Sequence, residues 1–364
     1  MTITKLQISV RELDKAKLKQ PPAAGQKLLF GKEFSDRMFI LKYTPDKGWH
    51  DAEIRQYENL SLSPAALVLH YAPEVFEGLK AYRQPDGGVA MFRPLDNFRR
   101  MNVSAERVCL PALDIDFALS ALTELVRLEQ NWVSSDAGAS LYIRPTLIGI
   151  DPYVGLKAPE EALFYIILSP VGAYYAQGFE PVSIMVEDKY VRAVRGGLGA
   201  AKTGANYAAS ILAGQLAKKK GFDQVLWLDG IEQRYVEEVG SMNIFFVYGE
   251  KIVTSALNGS ILPGITRDSV LKLSKHWGLE VAEDKLDIDQ VIADIASGKI
   301  TEIFGSGTAA VVSPVGALYH EGREYAVGGA KTKVGALTQK LYDNLTGIQY
   351  GKIPDPFGWL VRVL

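Results

Sequence analysis

Cysteine and histidine are scarce in this chain of 364 residues. A single cysteine, Cys109, excludes an internal disulfide framework and suits a reducing compartment. The four histidines, His50, His70, His276 and His320, include no two at metal-ligand spacing, which argues against a zinc site and a histidine triad. An excess of one charge is also missing. The formal net charge is −2, so there is no basic footprint for nucleic acid or an anionic membrane. The longest apolar run, Ala162 to Leu168, ends at Ser169-Pro170 and is far too short to span a bilayer. The opening stretch MTITKLQISVRELDKAKLK lacks the charged-then-apolar layout of a signal peptide, so a cytoplasmic location is expected.

What is present is the material of a globular enzyme. At 48% hydrophobic residues over this length, the chain can bury two cores of comparable size. Residues 1 to about 25 are polar and carry Pro21-Pro22, a loosely ordered lead-in. From Lys27 to Tyr82 the pattern is short and strand-like. Asp96 to Val108 and Asp116 to Asn131 repeat apolar residues at three and four, the helical spacing. Leu141 to Ile150 and Ala162 to Leu168 read as buried strands.

A Gly-, Ala- and Tyr-rich connection follows, and then the strand Val182 to Val186. A helix over Asn206 to Lys220 is ended by Gly221. Gln224 to Leu228 is a strand, Met242 to Tyr248 and Ile252 to Ser255 form a hairpin, and Pro263-Gly264 introduces a helix to about His276. Ile300 to Phe304 is a strand. Helices and strands do not alternate regularly enough for a doubly wound sheet, so the expected class is α+β. The expected division is a smaller N-terminal α/β domain over 1–173, a loop over 174–180, and a larger C-terminal domain over 181–364 that carries Lys202.

Lys202 lies in Gly196-Gly197-Leu198-Gly199-Ala200-Ala201-Lys202-Thr203-Gly204-Ala205-Asn206-Tyr207. Lysine is seldom buried without a reason. Small neighbours leave room for a large planar group. A desolvated lysine loses its proton more easily, and the neutral amine attacks carbonyls, so Lys202 is a candidate for covalent bonding to a carbonyl cofactor.

Two phosphate motifs nearly match and fail. Gly196 to Thr203 has Ala201 where a Walker A loop requires glycine. Gly305-x-Gly307-x-x-Ala310 follows a strand, but Val311-Val312-Ser313-Pro314 cannot open the helix a dinucleotide fingerprint needs. Phosphate can still be held by a basic residue, helix N-terminal amides and hydroxyls, which Pro263-Gly264-Ile265-Thr266 and Gly307-Thr308 offer.

Together the segments FEGLKAY (76–82), FRRM (98–101), LYIRP (141–145), SPVGAYY (169–175), AKTGANY (201–207), QVLWLDG (224–230), EEVGSMN (237–243), LPGITR (262–267) and FGSGTAA (304–310) resemble the branched-chain amino acid aminotransferases of the type IV pyridoxal-phosphate fold. The resemblance runs from Phe30-Gly31 to Gln349-Tyr350-Gly351. It implies that Lys202 is in Schiff-base linkage with pyridoxal 5′-phosphate and moves the proton from the substrate Cα to the cofactor C4′. It also implies that a carboxylate before Val239-Gly240 pairs with the pyridine nitrogen. Spacing selects Glu238 and turns Glu237 away, with Glu237 as the alternative. Alignment on Met101 selects Arg100 rather than Arg99 for the phosphate, beside the amides of Ile265 and Thr266 and the hydroxyl of Thr308.

By the same resemblance Tyr207 hydrogen-bonds the ring oxygen, and Ser241, where relatives often have threonine, keeps a hydroxyl near the cofactor. Phe30, Tyr71, Phe76, Tyr142 and Tyr174 match aromatic pocket positions. Tyr142 and Arg144, two apart on a strand, project to one face, a geometry for catching the side-chain carboxylate of glutamate. The turn at Thr308-Ala309 matches the site of the substrate α-carboxylate, and Leu156 matches a loop lent to the partner subunit of a homodimer. The vertebrate Cys-x-x-Cys pair is replaced by Ala310-Val311-Val312-Ser313.

The implied reaction moves the amino group of L-leucine, L-isoleucine or L-valine to 2-oxoglutarate, giving L-glutamate. The alternatives are a D-amino acid aminotransferase or an aminodeoxychorismate lyase of the same fold, against which the FEGLKAY and LYIRP segments argue. A more distant one is a phosphate- or nucleotide-binding module without covalent chemistry.

Overall fold

The computed structural model describes residues 6–172 and 179–364. Two compact units emerge. The first comprises Met1–Tyr174, Ala201–Gly204 and Ile348–Leu364, and the second Tyr175–Ala200 and Ala205–Gly347. The C-terminal segment from Ile348 therefore groups with the first unit, and so does the short stretch that carries Lys202.

In the first unit the described residues build a nine-stranded sheet, antiparallel except for the edge pair of Ser9–Val10 with Gly48–Gln56. At its centre Ser140–Gly149 pairs with Ala162–Val171 over their whole length, Ser140 opposite Val171 and Gly149 opposite Ala162. The second of these strands continues past the expected stop, carrying Ser169 and Pro170 within it. A proline can occupy a ladder position where its missing N–H is not called on.

Helices Pro94–Arg107 and Ile115–Leu128 bury Phe98, Met101, Leu122 and Leu125 together with Phe39 and Phe164 of the sheet. Each helix starts where local chemistry allows. Proline at the first helical position fits the fixed φ of Pro94. The Asp114 carboxylate accepts from the Phe117 amide at 3.0 Å, capping the second helix.

The second unit also holds a nine-stranded sheet, here mixed. Along it run Val236–Val239, Gln224–Leu228, Val182–Glu187, Val311–His320, Glu302–Gly307 and Met242–Tyr248, in that spatial order. Pairing of Val236–Val239 with Met242–Tyr248, Glu238 opposite Asn243, closes these strands into a ring. Closure removes exposed edges at the strands that carry the acidic pair. Ile184, Leu226, Val239, Ile244, Phe246, Ile303 and Leu318 fill one core with the apolar face of helix Ile288–Ala296. Ala213 and Ala217 of helix Gly204–Lys219 pack against Met185, Val225 and Trp227. Gly221, at φ +89°, ends that helix as expected. The expected strand at 300–304 lies instead at Glu302–Gly307, and Val311–His320 begins after a turn with no helix between.

The α+β class holds. Among the described residues no helix is long and apolar enough to cross a membrane.

Candidate active site

The candidate residues fall into two sets, one in each unit. In the first unit the chain at Lys202 is fixed by its backbone. Its amide donates to Ser104 Oγ at 2.9 Å, and its carbonyl accepts from the Phe76 amide at 3.0 Å. The side chain is half-buried, with Nζ 4.9 Å from the Phe76 ring centroid. The expectation of a buried lysine is thus met only in part. Elsewhere in this unit Lys80 is 7% exposed, and burial pushes its ammonium down to about 8.

Phe30, Phe76, Tyr142 and Arg144 are brought together. Arg144 Nη2 donates to the Tyr142 hydroxyl at 2.9 Å, and its guanidinium lies 4.6 Å from the Phe76 ring centroid. Phe30 meets Tyr142 edge-on with centroids 4.7 Å apart. Tyr142 and Arg144, two apart on Ser140–Gly149, thus turn to one face of the strand. Gly78 makes room for this arrangement, because a Cβ there would collide with the Tyr142 hydroxyl. Glu74 stands beside Arg144 and the Gly204 amide, and burial raises its carboxyl above the usual range despite the arginine.

Tyr71 points elsewhere. It is 44% exposed, and its hydroxyl donates to the Val154 carbonyl. Leu156, on the same loop as Val154, is 80% exposed. Tyr174 lies outside the described residues.

Arg100 and Arg99 are clearly separated. Arg100, with its side chain 11% exposed, forks onto the fully buried Glu77, Nε to Oε1 at 2.8 Å and Nη2 to Oε2 at 2.7 Å. Arg99 is 61% exposed and reaches Asp96.

In the second unit, Glu238 on Val236–Val239 is 4% exposed. It accepts from Arg192 Nη2 and, at Oε1, from Asn243 Nδ2 at 3.1 Å. Arg192 is itself enclosed; burial lowers the guanidinium's proton affinity, while Tyr207 and Glu237 nearby oppose that. Glu237 faces away from Glu238, as alternation requires. It is nevertheless buried, accepting from Asn258 Nδ2 at 3.0 Å and from Ser260 Oγ.

Ser241 is exposed at the turn after Gly240. Ile265 and Thr266 open helix Ile265–His276, whose N-cap is Gly264, with no side chain capping that end. Thr308 and Ala309 form the turn between Glu302–Gly307 and Val311–His320. The hydroxyl oxygens of Ser306 and, in the first unit, Thr203 are buried without a hydrogen-bond partner among the described residues. Within the second unit, a helix N-terminus without a side-chain cap and the orphaned hydroxyl of Ser306 are what a bound phosphate ester would satisfy, so these residues fit such a group.

Comparison with known proteins decides the family. Residues 74–318 match the model of the amino-transferase class IV family. The chain belongs to the class IV aminotransferases. It is 51% identical to branched-chain-amino-acid aminotransferase 2 of Bacillus subtilis (strain 168), over 95% of this chain and 94% of that protein. It is 52% identical to a probable branched-chain-amino-acid aminotransferase of Staphylococcus aureus (strain N315), over 95% of this chain and 96% of that one. Among solved structures, the branched-chain amino acid aminotransferase of Escherichia coli superposes with a TM-score of 0.76 at 29% identity, covering 90% of this chain and 99% of that one. The branched-chain aminotransferase of the thermophilic archaeon Thermoproteus uzoniensis, solved with norvaline, gives 0.75 at 25% identity, covering 90% and 100%.

Several residues of this aminotransferase escape sequence reasoning. Glu74, Glu77 and Gly78 sit inside or beside FEGLKAY, but no spacing rule ties Glu77 to Arg100 or Gly78 to Tyr142. Arg192 precedes the glycine-rich loop as one arginine among many. Asn243 shows a signal that alternation could have found: it lies directly opposite Glu238 in the register.

Proposed function

We propose that the chain is a pyridoxal 5′-phosphate-dependent branched-chain aminotransferase. In a ping-pong cycle it would move the amino group of L-leucine, L-isoleucine or L-valine to 2-oxoglutarate, giving L-glutamate and the branched-chain 2-oxo acid. The relatives' names support the substrate class. The observation that carries the chemistry is a buried carboxylate, Glu238, held by Arg192 and Asn243, in a chain whose Lys202 stands beside an aromatic cluster.

When bound, the cofactor supplies an electron-accepting ring for the electron pair left on the substrate carbon. Arg100, the Ile265 and Thr266 amides and the Thr308 hydroxyl would bind its phosphate. Glu238 would hold the proton of the ring nitrogen, and Tyr207 would donate to the ring oxygen. Lys202 would hold the cofactor covalently and, once displaced, carry the proton taken from the substrate Cα. Ser241 would place a hydroxyl beside the ring.

Phe30, Phe76 and Tyr142, with Tyr174, would exclude water around an aliphatic side chain. Arg144 with Tyr142 would orient the glutamate side-chain carboxylate, and Thr308 with Ala309 the α-carboxylate. Leu156, exposed here, would serve the partner's pocket in a cytoplasmic homodimer.

Absorbance spectra of the purified protein mixed with a panel of L- and D-amino acids test this. L-leucine, L-isoleucine and L-valine should convert the visible chromophore, and borohydride should trap the cofactor on Lys202. Faster conversion by D-alanine would favour a D-amino acid aminotransferase. A colourless protein that stays inactive with added pyridoxal 5′-phosphate would overturn the reading.

A further inference from the structure

Glu237 is the acid that the proposed chemistry does not use, yet it is 6% exposed. Burying a carboxylate is costly unless hydrogen bonds return what water gave, so its partners show what it does. Beside the charge of Arg192, its hydrogen-bond donors among the described residues both belong to the segment that leads into helix Ile265–His276. Asn258 Nδ2 donates to Glu237 Oε1 at 3.0 Å, and the Ser260 hydroxyl donates to the same oxygen. Asn258 Oδ1 in turn accepts from the Ser260 amide at 3.0 Å. Ser260 is 1% exposed.

The same segment is held further along from the opposite face of the strand. Asn243 Nδ2, which donates to Glu238, also donates to the Leu262 carbonyl at 3.0 Å. Asn243 Oδ1 lies against Gly264, the helix N-cap. Two adjacent glutamates thus fix successive stretches of one connection, Glu237 at 258–260 and Glu238 through Asn243 at 262–264. The connection also has a packed flank. Gly199, in the loop that leads to Lys202, lies so close to the Ser260 carbonyl that a Cβ there would overlap it.

We infer that Glu237 is a positioning residue for anion binding: by clamping Asn258 and Ser260 it sets where the amides of Ile265 and Thr266 stand. This rests on the proposed function only in naming the anion, the phosphate of pyridoxal 5′-phosphate. A helix N-terminus attracts an anion within its first turn, so a small displacement of that turn weakens a phosphate contact far more than a contact to the ring.

The test titrates the full-length apoprotein with pyridoxal 5′-phosphate and, separately, with pyridoxal, which lacks the phosphate. Glu237→Ala is expected to weaken the phosphorylated ligand about tenfold and to leave pyridoxal within about twofold. Glu237→Gln keeps an acceptor oxygen for both donors and should stay within about twofold of the wild type for both ligands. Where Glu237→Ala fails to fold, Ser260→Ala removes one donor and should give about a threefold loss confined to the phosphorylated ligand.

Unchanged binding in Glu237→Ala, an equal loss for both ligands, or a Gln variant as weak as the Ala variant overturns the inference. A wild-type chain that binds neither ligand overturns the proposed function instead, so the two failures are distinct.

Discussion

The buried pair Glu77–Arg100 permits a quantitative prediction, because both its geometry and its burial are known. Glu77 is 0% exposed at its side chain and Arg100 11%, and two charge-assisted hydrogen bonds of 2.7 and 2.8 Å join them. Glu77→Gln preserves volume but leaves a guanidinium facing a neutral amide. Breaking a buried pair by removing one charge typically costs about 3–5 kcal/mol. The glutamine carbonyl restores one neutral hydrogen bond of about 1 kcal/mol. The expected loss in unfolding free energy is therefore about 2–4 kcal/mol.

The neighbouring Arg99 provides an internal control. Its side chain is 61% exposed, so Arg99→Gln should change stability by less than about 1 kcal/mol. Urea denaturation of the cofactor-free chain, followed by tryptophan fluorescence and circular dichroism, measures both. A further variant, Glu77→Leu with Arg100→Met, should recover most of the loss, since apolar side chains of similar size replace a buried pair with little net change. A Glu77→Gln variant within about 1 kcal/mol of the wild type, or a double variant less stable than Glu77→Gln, would refute the reasoning.

Three more outcomes are expected. Gly78→Ala forces the Tyr142 hydroxyl out of its place and should raise KM for both amino donor and 2-oxoglutarate by about tenfold, while cofactor affinity, measured by titration, stays unchanged. Lys202→Ala should lower kcat by at least about 10³-fold and abolish borohydride trapping; an exogenous amine should recover part of the rate. Lys80 gives a pH signature. Its ammonium is depressed to about 8 in the folded chain from 10.5, so the unfolded state binds the extra proton between those values and stability should rise with pH across that window. Lys80→Met should flatten that rise in pH-dependent denaturation midpoints.

The helices expected over 96–108 and 116–131 lie at 94–107 and 115–128: their apolar period was legible, whereas the starts set by Pro94 and the Asp114 cap were not read; Pro263-Gly264 did mark the start of the helix at 265–276. The hairpin of Met242–Tyr248 with Lys251–Ser255 was legible for a similar reason, its two-residue turn being local. Pairings between distant strands leave no such trace. That Leu360–Arg362 returns to pair with Val89–Phe92 follows from tertiary packing alone. The ends of strands are equally hidden, since Pro170 looks like a stop until its partner Leu141 is known.

The acidic pair shows what remains hidden when the pattern is read correctly. Alternation along Val236–Val239 predicts opposite faces for Glu237 and Glu238, and the structure agrees. On an open sheet with one solvated face, opposite faces would mean one acid buried and one hydrated. Here the strand closes a ring against Met242–Tyr248, and the connection 258–264 covers its other side, so both acids are buried. Each must then find donors, and each is tied through them to the same connection. Closure of the ring thereby turns a residue that alternation merely sends to the far face into a fixed support for the helix start at Ile265.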